Sequence, residues 1–259
     1  MTIIATILLG IIQGLTEFLP VSSSGHLVIF QNILGFKEPE LLLDTSLHLG
    51  TLLAVCIYFR SDIKEIVADI LQWDLKAEGT LLALWVVVAS VPTALIGFSL
   101  KAHIEMMFAS VQTVGAMLVA TGFIVASTRV RRSNETDKPL WLLAALAIGT
   151  AQGLAIIPGI SRSGATIACG LLFGLEREQA ARFSFLLSIP AIVGALAMQM
   201  NLAEAARVGI GPLVIGFGAS AFVGLLALKL LMGMVKKGHL SYFAPYCWAV
   251  GVLVIIFAH

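Results

Sequence analysis

The sequence predicts an all-α integral membrane protein, with six transmembrane helices plus two re-entrant helical hairpins arranged as inverted-topology repeats. Three observations carry that reading. The 259 residues are 59% hydrophobic and 12% charged, with a mean hydropathy of +0.99, whereas soluble domains run about 25% charged. Two polar islands, Gln13 to His26 and Pro158 to Thr166, interrupt otherwise apolar stretches. The chain also resembles itself at an offset of 139: Gln13-Gly14-Leu15 falls on Gln152-Gly153-Leu154, and Ser22, Ser24 and Gly25 fall on Ser161, Ser163 and Gly164.

A spanning helix needs about 20 largely apolar residues. Segments near 41–60, 80–100, 107–127, 181–201, 210–233 and 241–258 meet that length. Residues 3–18 with 23–35, and 140–157 with 163–174, are mostly too short to cross alone, and each pair is broken by Pro with Gly or Ser. Each pair therefore reads as a hairpin that returns to the face it entered. The N-terminus lacks Lys or Arg before Lys37, so it reads as part of the mature fold and not as a cleavable signal. Polar stretches at 61–79 and 129–139 read as connectors. The run of Glu176, Arg177, Glu178 and Arg182 reads as a solvated helix start.

Each hairpin is followed by three spans, and an odd number inverts the second copy in the membrane. The chain is thus a single membrane domain, 1–259, with one repeat at about 1–128 and the other at about 139–259. Inverted repeats place their sites near the midplane, where broken helices meet. Irregular backbone at that depth must be enclosed by protein or line a water-filled cavity. Residues 20–26 are therefore expected beside 158–166. This topology gathers twelve Lys and Arg, from Arg60 to Lys237, on one face, leaving Lys37, Lys101 and Arg207 on the other and Arg162 inside. The rich face is cytoplasmic by the positive-inside rule, so both termini and the opening of the site face outward.

Net charge is +1 and no basic, aromatic-laced patch occurs, which excludes nucleic acid as a partner. Cys56, Cys169 and Cys247 are scattered singletons without metal or redox spacing and read as small buried side chains. Polar groups inside a membrane are expensive and mark function. Arg162 keeps its charge and needs an anion. A buried ion pair with Glu17 is one answer. The flanking Ser161, Ser163, Gly159, Gly164 and Thr166 suit another, because hydroxyls, helix N-terminal amides and a guanidinium fork together cradle a phosphate. The first island adds reactive types: hydroxyls on Ser22, Ser23 and Ser24, an imidazole on His26, and a carboxylate on Glu17 for a metal or for His26. On a helix starting near Ser22, Ser23 and His26 share a face, so nucleophile and base are expected to touch. A serine run is also an ordinary helix cap. Asp44 and His48, four apart on one face of a span, are read either as support for the site or as a helix-packing hydrogen bond.

These two islands resemble the signatures of the bacterial undecaprenyl-diphosphate phosphatases, also called bacitracin-resistance proteins. Gln13 through His26 is similar to the first signature and Pro158 through Thr166 to the second; the stretch from Asp44 through His48 resembles the family's third helix. The resemblance implies removal of the terminal phosphate from a C55 polyprenyl diphosphate, for reuse of the monophosphate carrier in cell-wall synthesis. It implies a multi-pass protein of the bacterial inner membrane, whose partners are that lipid substrate and membrane lipid, with a homodimer left open. It further implies that Glu17 binds or orients a divalent metal, Mg²⁺ or Ca²⁺, that Arg162 grips the diphosphate, and that Ser161, Ser163 and Thr166 hydrogen-bond it, with Ser22, Ser24 and Gly164 completing the cradle. Ser23 is the implied nucleophile with His26 its base, or His26 attacks phosphorus directly. A transporter or flippase of phosphorylated polyprenyl lipid is the rival, since broken helices at a midplane anion site also suit a carrier. Ser23, His26 and Glu17 together favour the enzyme, because carriage needs no nucleophile.

Gln13 stands where other members of that family carry a second glutamate, and an amide brings oxygen without charge to a cation that favours carboxylates. Gln13→Glu is therefore expected to lower the Mg²⁺ concentration giving half-maximal phosphate release. An unchanged requirement would rule out that role for position 13.

Overall fold

A computed structural model describes residues 3–35, 41–129, 141–199 and 210–257. Among them the chain is helical throughout, with no strand: α1 (Ile3–Phe18), α2 (Ser23–Ile33), α3 (Leu41–Tyr58), α4 (Arg60–Leu71), α5 (Glu78–Phe108), α6 (Val111–Ser127), α7 (Trp141–Leu154), α8 (Arg162–Leu172), α9 (Arg177–Gln199), α10 (Ile210–Lys236), a short 3₁₀ turn (Leu240–Phe243) and α11 (Ala244–Phe257). Four stretches are long and apolar enough to cross a membrane: Glu78–Leu100, Arg177–Leu196, Ile210–Lys236 and Leu240–Phe257. Two more pass only when bent pairs, α3 with α4 and the end of α5 with α6, are each counted as one span, giving up to six. Helices α1 and α7, at 16 and 14 residues, fall short of the about 20 needed.

Two connector expectations change. Residues 60–71, read as loop, form α4, bent by 73° from α3. The reason is a helical alternation in Arg60–Leu71: Ile63 and Ile66 pack on the main core while Leu71 and Trp73 stay exposed. The run around Arg182 is partnered and not simply solvated. The Arg182 guanidinium pairs with Asp62, with Glu78 at 3.0 Å and with Glu65 at 3.7 Å, so one side chain of α9 ties α4 to the start of α5. Similarly, Glu178 meets Lys236 at 2.8 Å. The connector read at 129–139 lies outside the described residues from position 130 onward.

Glycine sets how the short helices dock. In α1, Gly10 and Gly14 lie against α10: a Cβ on Gly10 would sit 2.9 Å from the Gly216 carbonyl, and one on Gly14 would sit 2.8 Å from the Gly224 amide nitrogen. In α7, Gly149 and Gly153 lie against α5, where a Cβ on Gly149 would overlap the Ala89 carbonyl and one on Gly153 would meet Ile96 at 2.8 Å. Both helices read Gly-x-x-Gln-Gly, 139 residues apart. Small residues four apart allow backbones to approach where lipid supplies no hydrophobic drive between helices. Beneath these crossings Phe18 meets Phe185 edge to face at 5.7 Å, and Phe183, Leu187, Leu228 and Leu231 complete a core free of solvent.

Gly149→Ala is expected to destabilise the protein by about 1–3 kcal/mol, because the added methyl meets backbone that cannot yield without moving a helix. Thermal unfolding in detergent measures this, and an unaltered midpoint would show that the α5–α7 crossing has slack.

Candidate active site

Each polar island is a turn closed by the same device. After α1 the chain turns through Leu19, Pro20 and Val21, and Ser22 caps α2, its hydroxyl accepting from the Gly25 amide at 3.2 Å. In the second island Ser161 caps α8 and accepts from the Gly164 amide at 3.1 Å. A serine oxygen satisfies an otherwise orphaned donor at a helix start. Two backbone positions are exacting. Ser22 sits at φ 67°, a region that costs a non-glycine residue about 1–3 kcal/mol and is tolerated where surroundings fix it. Gly159 has φ +97°, and a Cβ there would lie 2.5 Å from the Val114 carbonyl.

The two turns meet, as the sequence led one to expect. A Cβ on Gly25 would stand 3.1 Å from Gly159 Cα and one on Gly164 would stand 3.2 Å from Pro20 Cβ, while the Ser163 hydroxyl donates to the Leu19 carbonyl at 3.4 Å. At the junction Arg162 Nη2 pairs with Glu17 Oε1. The other carboxylate oxygen, Oε2, accepts from Ser23 Oγ at 2.5 Å and from Gln13 Nε2 at 2.9 Å, and faces His48 Nε2 at 3.8 Å. The Glu17 side chain is 3% exposed, Arg162 19% and His48 29%. The carboxylate is therefore least enclosed on the Arg162 and His48 side.

Ser23 and His26 do not touch through a hydrogen bond. His26 Nδ1 donates to the Ser22 carbonyl at 2.8 Å, which leaves a lone pair on Nε2, and the Tyr246 hydroxyl donates to that lone pair at 2.8 Å with the two rings stacked 5.8 Å apart. The acceptor for the Ser23 proton is Glu17. Helical spacing gave Ser23 and His26 one face, but the turn carries Ser23 toward α1 and His26 toward α11.

The remaining hydroxyls are sorted by depth. Ser24 is half-buried and lies 3.3 Å from Ser22 Oγ. Ser161 and Ser163 are buried and lie 3.2 Å from each other. Thr166 is fully buried, donating to the Arg162 carbonyl at 2.7 Å and meeting Ser184 Oγ at 2.5 Å.

The family model of the bacitracin resistance protein BacA matches residues 6–253, which contain both turns and every helix that supports them. The chain belongs to the BacA family. Relatives named undecaprenyl-diphosphatase are similar over nearly their whole length. The protein from Desulfosudis oleivorans is 48% identical, covering 95% of this chain and 94% of its own. That from Desulfatibacillum aliphaticivorans is 46% identical with 96% of each covered, and that from Halothermothrix orenii is 44% identical over 100% of this chain and 99% of its own.

In this BacA-family chain the supports of the site come from distant sequence. Tyr246 holds His26, and its neighbour Cys247 donates to the Pro20 carbonyl at 3.5 Å, so α11 grips the first turn. Thr121 of α6 grips the second, donating to the Gly159 carbonyl at 2.7 Å and accepting from the Ser161 amide at 3.0 Å. Sequence reading gave these residues no role. The signal present was weak: a tyrosine and a threonine inside apolar helices. Both readings of Asp44 and His48 have a counterpart in the geometry: Gln31 Nε2 donates to Asp44 Oδ1 at 2.7 Å between α2 and α3, while His48 Nδ1 donates to the Asp44 carbonyl at 2.7 Å and Nε2 faces Glu17 Oε2 at 3.8 Å. For a metal, no group of three or more His, Cys, Asp or Glu stands together among the described residues. Glu17 and the fully buried Gln13, whose Oε1 has no hydrogen-bond partner, nevertheless match the one or two carboxylates with phosphate and water oxygens that Mg²⁺ takes.

Arg162→Ala leaves the Glu17 carboxylate buried without its counter-ion, a loss of about 3–5 kcal/mol where one partner of such a pair is removed. Adding Glu17→Gln to that variant is expected to restore a large part of it. Thermal unfolding of the two single variants and the double reads the coupling, and strictly additive losses would mean that the pair contributes nothing.

Proposed function

We infer that this chain is an undecaprenyl-diphosphatase of the membrane, releasing the terminal phosphate of a C55 polyprenyl diphosphate and returning the monophosphate carrier to cell-wall synthesis. The observation that carries the reading is the junction of the two turns, where a hydroxyl on a carboxylate and an arginine share one water-reached point. Phosphoryl transfer asks for little covalent help and much charge neutralisation around the equatorial oxygens. Arg162 brings a fixed positive charge. Ser24, half-buried and 3.3 Å from Ser22 Oγ, and the amides of the capped turns offer donors.

In the proposed sequence Ser23 Oγ attacks the terminal phosphorus and passes its proton to Glu17 Oε2, 2.5 Å away. The bond from that phosphorus to the bridging oxygen breaks and the polyprenyl monophosphate departs. Water then attacks the phosphoserine, the bond from phosphorus to Ser23 Oγ breaks, Glu17 returns its proton to Ser23 Oγ, and the proton lost by water passes to solvent as inorganic phosphate leaves. His26, held between Ser22 and Tyr246, positions the start of α2. A Mg²⁺ ion on Glu17 and Gln13 would neutralise charge on the diphosphate. The fold reading goes with this: six spans, with α1–α2 and α7–α8 as re-entrant hairpins of two inverted repeats. Matching Gly-x-x-Gln-Gly helices, matching serine caps and the docking of each hairpin on helices of the other half support it. The charge count places both termini and the mouth of the site on the outer face.

The rival, a flippase, uses the same anion site, and the short Ser23 to Glu17 hydrogen bond favours the enzyme. Purified protein in detergent, given undecaprenyl diphosphate and Mg²⁺, is expected to release phosphate. Ser23→Ala and Arg162→Ala should each lower that rate by at least about a hundredfold, the scale of removing a group that acts in the transition state. No release by the intact protein would favour the flippase. Full activity in Ser23→Ala, with loss in Arg162→Ala, would keep the anion site and remove Ser23 as nucleophile.

A further inference from the structure

His48 lies between the two readings that its sequence position allows, and its geometry is that of a metal ligand held ready. Its Nδ1 reaches the Asp44 carbonyl at 2.7 Å. A carbonyl only accepts, so Nδ1 carries the hydrogen, and in the neutral ring Nε2 presents a lone pair. A second ring nitrogen anchored on a backbone carbonyl is the arrangement that orients metal-binding histidines. Asp44 is itself fixed by Gln31 at 2.7 Å.

The lone pair points to the carboxylate. His48 Nε2 lies 3.8 Å from Glu17 Oε2, too far for a hydrogen bond, yet within the span of two bonds of about 2.0–2.2 Å to one shared cation. Gln13 is the neighbour of Glu17. It is fully buried, one helical turn from Glu17 and in hydrogen-bond contact with it, and its Oε1 has no hydrogen-bond partner. A buried polar atom without a partner points to an ion or water that completes it. His26, the other imidazole of the site, is excluded because both its ring nitrogens are engaged.

We propose that His48 is the third protein ligand of a divalent-cation site that Glu17 and Gln13 begin. This rests on the metal reading above and gives it a donor set of one nitrogen and two oxygens. Mn²⁺ shares the oxygen preference of Mg²⁺ and Ca²⁺, and its unpaired electrons make it the probe that reports a nitrogen ligand in such a site.

The test needs metal alone, without substrate. Mn²⁺ is titrated into the purified full-length protein and followed by electron paramagnetic resonance, with pulsed measurements reading nitrogen coupled to the bound ion. The intact protein is expected to show one nitrogen-coupled Mn²⁺. His48→Gln should abolish the coupling and weaken Mn²⁺ binding by at least the 10–100-fold, about, that loss of a supporting contact brings. Its thermal unfolding serves as the control for folding. Bound Mn²⁺ without nitrogen coupling in the intact protein, or coupling that survives in His48→Gln, overturns the proposal and leaves His48 as an ion-pair partner of Glu17. Absence of any bound Mn²⁺ overturns the proposal and the metal reading together, while phosphate release by the same preparation decides separately whether the diphosphatase reading stands.

Discussion

The structure depends on one ion pair, Arg162 with Glu17, formed between two turns that are 145 residues apart in sequence. An arginine inside a membrane protein cannot discharge itself by losing its proton, and a buried carboxylate left alone is worse still. Each therefore requires the other, and the requirement propagates outward. The two turns must come together, and the helices that lead into them, α1 and α7, have 16 and 14 residues, fewer than the about 20 of a membrane span. Neither turn can expose backbone to lipid, so both must be enclosed by helices that do cross.

Enclosure is achieved by exchange. The first turn is gripped by α11 through Tyr246 and Cys247, and its leading helix docks on α10. The second is gripped by α6 through Thr121, and its leading helix docks on α5. Each hairpin thus lies in helices from the other half of the chain. Between helices in lipid the drive is close packing and hydrogen bonding, which explains why glycines four apart and single hydroxyls do the docking. The consequence for the site is rigidity, because the turn holding Ser23 cannot shift without moving a helix from the far end of the sequence.

The ion pair also defines the chemistry. With both of its oxygens occupied, Glu17 holds the Ser23 hydroxyl in place and is itself held by Arg162. In the proposed reaction an incoming phosphate would compete with Glu17 for the guanidinium and free carboxylate charge beside the hydroxyl. Groups aimed in advance at developing charge need no reorganisation during the reaction. Burial has meanwhile divided the hydroxyls: Ser22, Ser161, Ser163 and Thr166 serve backbone and packing, while Ser23 and Ser24 remain within reach of water.

The sequence by itself determined that the chain is a membrane protein, where its two broken segments lie and that those segments belong together. Composition, helix length and the cost of Arg162 in lipid are local quantities, and the offset of 139 residues matches the Gly-x-x-Gln-Gly helices and the capping serines of the two turns. It also settled Ser22 as a plausible cap, since capping is decided within four residues. Only the tertiary structure decided which groups face one another. Ser23 reaches Glu17 on α1 and His26 reaches Tyr246 on α11, partners that residue spacing does not encode. Tyr246, Thr121 and the orientation of His48 depend on helix crossings set by glycines in other segments. Likewise Arg182 found three carboxylates on α4 and α5 where the sequence suggested solvent. Spacing along the chain fixes neighbours within a helix, whereas contacts between helices follow from packing, which is settled only when the whole chain is folded.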